Sequence, residues 1–156
     1  MNYIKLQQDI IKAVWNDKTK NDFTFVDTII NGRVWVIYKG IAIYSIPEKL
    51  CFIDTKAVEN WANKMPYSRQ IIDNMLKGAD AGISVRLDGT SINSMNLKCN
   101  RYENAETGLK IYCDVKLMKY SEPEYEQYTA KDDERVMYVK DAEEVIAVIL
   151  PIGGFK

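Results

Sequence analysis

No histidine occurs anywhere in this chain. That removes the commonest general base, the histidine-dependent serine and cysteine triads, and most zinc sites. Cysteine is scarce too: Cys51, Cys99 and Cys113 are odd in number and form no CxxC pair, unlike a secreted disulfide scaffold. They read as reduced, mostly buried thiols. Cys99 and Cys113 flank a polar loop and could face each other across two strands, so a bridge between them stays open. Neither GxGxxG nor GxxxxGK occurs, so no phosphate loop is expected. An excess of either charge is also missing, with 21 Lys and Arg against 22 Asp and Glu, a net charge of −1. A general nucleic-acid binder needs clustered cations that release counterions from phosphates, so any basic patch must be local. No apolar run approaches the length of a membrane span, and "MNYIKLQQDIIKAVW" is amphipathic, without a signal-peptide core. The expected setting is cytoplasmic, with no membrane partner and no cofactor.

What is present is ordinary for a globular protein: 156 residues, 47% of them apolar and 28% charged. This suffices for one domain, residues 1–156, with a core that needs no metal or disulfide. Tyr3, Leu6, Ile10 and Val14, with Ile4, Ile11 and Trp15 beside them, follow the helical period and predict a surface helix with a broad buried face. "FTFVDTII" and "RVWVIYKG" read as strands joined through Asn31-Gly32, where a tight hairpin turn needs positive φ at both central residues. "IAIYSIP" is a third strand, stopped at Pro47. Asp54 is a candidate N-cap for a helix carrying Ala57, Val58, Trp61, Ala62 and Met65, ended by Pro66. Ser68 starts another, with Ile71, Ile72, Met75 and Leu76 before Gly78 as a C-cap.

The period then changes to two. Ile83, Val85 and Leu87 alternate with polar residues, Asp88-Gly89 offers a hairpin turn, and Met95, Leu97 and Cys99 continue on the return strand. Leu109, Ile111, Cys113, Val115 and Leu117 describe a long strand with one buried face. "SEPEYEQYTAKDDE" is acidic and aromatic without clear period and reads as an exposed excursion. "RVMYVKD" and "EVIAVILPI" are the last two strands. The six apolar residues 145–150 lack alternation, which marks a strand covered on both faces, and Pro151 ends it. Trp15, Trp35 and Trp61 all fall on faces expected to be buried.

The order of elements, a helix followed by an antiparallel meander and then the same again, resembles a single domain of the DNA polymerase sliding-clamp family, as does the closing "AVILPI". The stretches "RVMYVKDAEEVIAVILPI" and "WVIYKGIAIYSIPEKLCFID" are also similar in style to small proteins of bacterial phages and mobile elements. The resemblance implies an α+β fold of two or three helices packed against antiparallel sheets, clamp-domain-like, with a helix plus three-strand meander used twice. It also implies a role as an accessory in DNA metabolism. One departure bears on the partner: Lys5, Asp9 and Lys12, then Lys56, Glu59, Asn60 and Lys64, are mixed in sign where clamp helices turn basic side chains to DNA. The net charge supports a protein partner over DNA.

For sites, Tyr120, Tyr125 and Tyr128 cluster in the acidic segment and combine apolar area with a polar tip, as interface tyrosines do. Together with Lys116 and Lys119 they are the candidate partner-binding residues; folding back over a sheet is their other reading. Lys110, Lys116 and Lys119, with Arg86 on a neighbouring strand, could form a basic face, or simply protect an edge. Asp88, Asp114, Asp132, Asp133 and Glu134 could gather a divalent cation, although a turn and a solvated loop explain them as well. Two functions follow: a non-catalytic protein-interaction or DNA-metabolism accessory module, or a metal- or carboxylate-dependent enzyme. No residue is assigned a catalytic or metal-binding role.

Overall fold

The computed structural model describes residues 1–26, 28–54, 68–94, 96–131 and 136–155. The chain divides into two compact units, Asn2–Leu76 on one side and Met1 with Lys77–Lys156 on the other. The helix expected around Ala57 to Met65, with Trp61, Lys56, Glu59, Asn60 and Lys64, lies outside the described residues, as do Asp132, Asp133 and Glu134.

In the first unit α1 spans Tyr3–Val14, and Asn2 Oδ1 accepts the Lys5 N–H at 2.9 Å, satisfying one of the free amides of the first turn. Its buried face is narrower than the apolar pattern predicts. Leu6, Gln7, Ile10 and Ala13 are buried, whereas Ile4, Ile11 and Trp15 face outward. Strands β1 (Phe23–Phe25), β2 (Arg33–Tyr38) and β3 (Ala42–Pro47) form an antiparallel meander. Asn31 and Gly32 both have positive φ, 54° and 67°, and a bridge joins Ile30 to Arg33, so the hairpin turn forms where Asn-Gly places it. The strands hold Trp35, whose indole N–H donates to the Ile30 carbonyl, and the buried Arg33, which donates to Ser45 Oγ and Tyr3 Oη. Ser68–Gly78 forms α2. Gly78 keeps a right-handed φ of −80°, so it is not the left-handed cap expected; the chain tightens into a 3-10 turn over Ala79–Ala81 and leaves the helical region only at Gly82.

The second unit is a sheet of antiparallel strands in the order β9-β8-β7-β4-β5-β6-β10. These are β4 (Ile83–Ser94), β5 (Leu97–Glu103), β6 (Lys110–Asp114), β7 (Gln127–Lys131), β8 (Val136–Asp141), β9 (Glu144–Ile149) and β10 (Gly153–Phe155). This overturns the expected architecture of two or three helices packed against small sheets. Among the described residues only α1 and α2 are α-helices, and a helix plus a three-strand meander is not used twice, because β4, β5 and β6 continue into a larger sheet. The reason lies in β7. The segment expected as an exposed excursion supplies a strand that bonds to β4 on one side and β8 on the other, burying Tyr128 and Ala130. The closing strand meets its expectation: residues 145–149 are all buried, and Ile146 is fully enclosed.

Asp88-Gly89 is not a hairpin turn. β4 runs through it as one long strand with a bulge, between Leu87 and Ser91, and the reversal comes at Asn96, whose φ is 63°. Gly89 takes the positive φ of 82° in the bulge. The expected strand from Leu109 to Leu117 stops at Asp114, where the carboxylate accepts the Lys116 N–H and the chain turns.

Where β4 leaves the helical segment, backbone and side chain approach closely. A Cβ on Gly82 would stand 2.8 Å from both Cβ and Oγ1 of Thr129, and the Gly82 φ of −77° means that the obstacle is steric. Thr129 Cβ is fixed to β7 and cannot swing away. Gly82→Ala is therefore expected to cost about 1–3 kcal/mol, read as a lower urea midpoint with unchanged slope; a variant as stable as the parent would remove the contact from the account.

Candidate protein-binding surface

α1 would ordinarily turn only polar side chains to solvent. Here Ile4, Ile11 and Trp15 recur at spacings of seven and four and so share one stripe, on which Ile4 is 65% and Trp15 79% exposed. Gln7, buried beside that stripe, fixes what lies along it. Its Nε2 donates to the Leu50 carbonyl at 3.1 Å and its Oε1 accepts the Phe52 N–H at 2.8 Å. A buried amide with both ends satisfied this way holds the segment after β3 against the helix. Leu50 and Phe52 are themselves more than half exposed, which extends the apolar surface beyond α1. On the other flank of the stripe, Lys5 and Lys12 stand one heptad apart, and neither has an ion pair among the described residues.

The sequence pattern hides this surface. Ile4, Ile11 and Trp15 lie within the same apolar repeat as Leu6 and Ile10, and periodicity alone widens the buried face to take them in. The usable signal was the width: eight apolar positions in thirteen residues cover more than one face of a helix.

Of the residues singled out for partner binding, the structure turns two inward. Tyr120 and Tyr128 are buried at 1% and 5% exposure, leaving Tyr125 exposed near them in sequence, with Lys116 and Lys119 also at the surface. Lys119 Nζ lies over the Tyr120 ring at 4.6 Å. Tyr128 joins an interior polar cluster: its Oη and Glu126 Oε2 are each 2.5 Å from Ser121 Oγ, and the Met1 ammonium is 2.5 Å from Glu126 Oε1. Lys110 and Arg86, the other two cations considered for a basic face, lie on β6 and β4. Both stand beside Glu103 in the sheet register, and Lys110 Nζ reaches Glu103 at 3.9 Å.

Of the carboxylates considered for a cation, the two among the described residues, Asp88 and Asp114, have structural roles. Asp88 accepts the Thr90 N–H and the Arg101 guanidinium, which closes the β4 bulge from the facing strand. Desolvation acts upward on this carboxyl, but those donors together hold it below the usual carboxylate range. Asp114 sits in the turn after β6. Among the described residues no three Asp, Glu or Cys side chains come together as a metal-binding group. Two open grooves of about 580 and 610 Å³ flank β4 at Ser84, Arg86 and Leu87, one reaching Glu126 and Gln127, the other Asp88, Glu103 and Glu106. No helix among the described residues is long and apolar enough to cross a membrane. Comparison with protein-family models, curated proteins and solved structures finds no match.

Proposed function

We propose that this chain is a non-catalytic protein-interaction module acting in the cytoplasm, and that its contact surface is the outward stripe of α1 extended by Leu50 and Phe52. The observation that carries this reading is Trp15. A tryptophan left 79% exposed forgoes most of the burial that makes this residue favourable in a fold, whereas interface hot spots are enriched in it. Ile4 and Ile11 share its stripe, and Leu50 and Phe52 are held to the same helix by Gln7; apolar patches on protein surfaces mark interaction sites. Free thiols fit a reducing compartment.

The test is paired affinity capture from the source cell with the parent chain, Trp15→Ala, and a triple variant of Tyr125, Lys116 and Lys119 to alanine. Trp15→Ala is expected to lose a retained protein at an affinity cost of about 2 kcal/mol or more, with an unchanged circular-dichroism spectrum. The triple variant is expected to retain it. The reverse pattern would move the contact surface to the Tyr125 region.

A further inference from the structure

We infer that the occupant of the α1 stripe is an amphipathic helix of a partner protein whose flank carries carboxylates, an inference that rests on the interaction reading above. The stripe itself argues for a helix. Ile4, Ile11 and Trp15 form a ridge of about 16 Å at the helical rise of 1.5 Å per residue, and a heptad-spaced ridge accepts the complementary heptad of another helix. An extended peptide would lay its backbone amides across apolar side chains on an element with no open hydrogen-bonding edge, leaving them unsatisfied. A helix brings its own hydrogen bonds.

Charge then selects among helices. The stripe is asymmetric: Leu50 and Phe52, pinned by Gln7, form an apolar shoulder on one flank, and Lys5 and Lys12, with the single carboxylate of Asp9 between them, give the other flank a net positive charge. The two lysines are seven residues apart, so both can face one flank of a single partner helix, which is favourable only when that flank is acidic. The same asymmetry disfavours a second copy of this chain. Antiparallel self-pairing on the stripe sets each lysine row against the other; parallel pairing sets it against the Leu50 and Phe52 shoulder. Like charges in contact, or cations desolvated over apolar groups, oppose both.

Two synthetic helical peptides test this directly, sharing one leucine heptad seam and differing only in whether the flank is glutamate or lysine. Isothermal titration at low salt is expected to give at least about tenfold tighter binding of the glutamate peptide, weakening as salt screens the contact. The double variant Lys5→Glu, Lys12→Glu should reverse the preference, and Trp15→Ala should bind neither peptide. Equal affinity for the two peptides, no reversal in the double variant, or no binding of either at millimolar concentration would overturn the acidic-helix assignment, while a capture that still depends on Trp15 would leave the interaction reading standing. Loss of that dependence would sink the interaction reading itself. A dimer in analytical ultracentrifugation that Trp15→Ala abolishes would hand the stripe to a second copy and also overturn the assignment.

Discussion

Ile146→Ala is expected to lower the unfolding free energy by about 2–5 kcal/mol, the cost of lost transfer energy plus the cavity left behind. Ile146 has no accessible surface and occupies a special place in β9. The register passes from Ala147 opposite Val139 to Val145 opposite Lys140, so Ile146 is the extra residue of a bulge. Its side chain is fully enclosed. Neighbours Ala147, Val148 and Ile149 are equally inaccessible, which leaves the site little room to collapse. Chemical denaturation checks this against Leu150→Ala, at a half-buried position just beyond the strand, where a loss of less than about half as much is expected. Equal losses at the two positions would show that burial of β9 does not set the stability.

The second large effect is at alkaline pH. Tyr102 is raised far above the ordinary tyrosine range, first by burial and then by the neighbouring Tyr128, Cys113 and Glu126; Tyr128 is raised by burial and by Glu126 against the opposing bond from Ser121. Burial likewise raises Cys99, which Asp114 reinforces, and Cys113, reinforced by Cys99 and Asp114. All four groups are neutral when protonated, so the folded state retains protons that the unfolded chain releases. Their contribution is intact below the unfolded values, about 8.5 for a thiol and about 10 for tyrosine, and is lost as pH rises above them. Each group still protonated in the folded state then subtracts at most about 1.4 kcal/mol per pH unit. Urea midpoints should hold through neutral pH and fall steeply beyond about pH 9, with tyrosinate absorbance from these residues rising only as the protein unfolds. A midpoint flat into strongly alkaline solution would contradict their burial.

The strands with strong local signals were legible. Asn31-Gly32 marked its hairpin, the unbroken apolar run of residues 145–150 marked a strand covered on both faces, which holds over 145–149, and Pro151 marked its end. β7 was not legible because its inward residues, Tyr128 and Ala130, are a polar-tipped aromatic and a small side chain set among Glu, Gln and Lys, so the apolar alternation is faint. Only the β-forming pair Tyr128-Thr129 hinted at it. Asp88-Gly89 misled because the positive φ that glycine supplies serves a bulge as readily as a turn; what decides is Arg101 on the facing strand, invisible to local pattern. With β7 absent, the order of elements imitated two copies of one unit, and that order, with the closing "AVILPI", was the ground of the likeness to sliding clamps. At the surface, Tyr125 was readable as exposed, but Trp15 was not. An apolar residue that the fold leaves in solvent looks, in sequence, like one destined for the core.

The way β7 enters its sheet has a kinetic corollary. β4 through β6 and β7 through β9 are each successions of neighbours in sequence, whose hairpins close short loops and can zip early. Joining them depends on a short seam, Ile83 with Ala130, Ser84 with Thr129 and Val85 with Tyr128, between residues far apart along the chain. Long-range pairings of this kind form slowly. Closing this seam is therefore expected to be the slow step in assembling this unit, and until it closes the facing edges of β4 and β7 lack the partners that keep them from pairing with other chains.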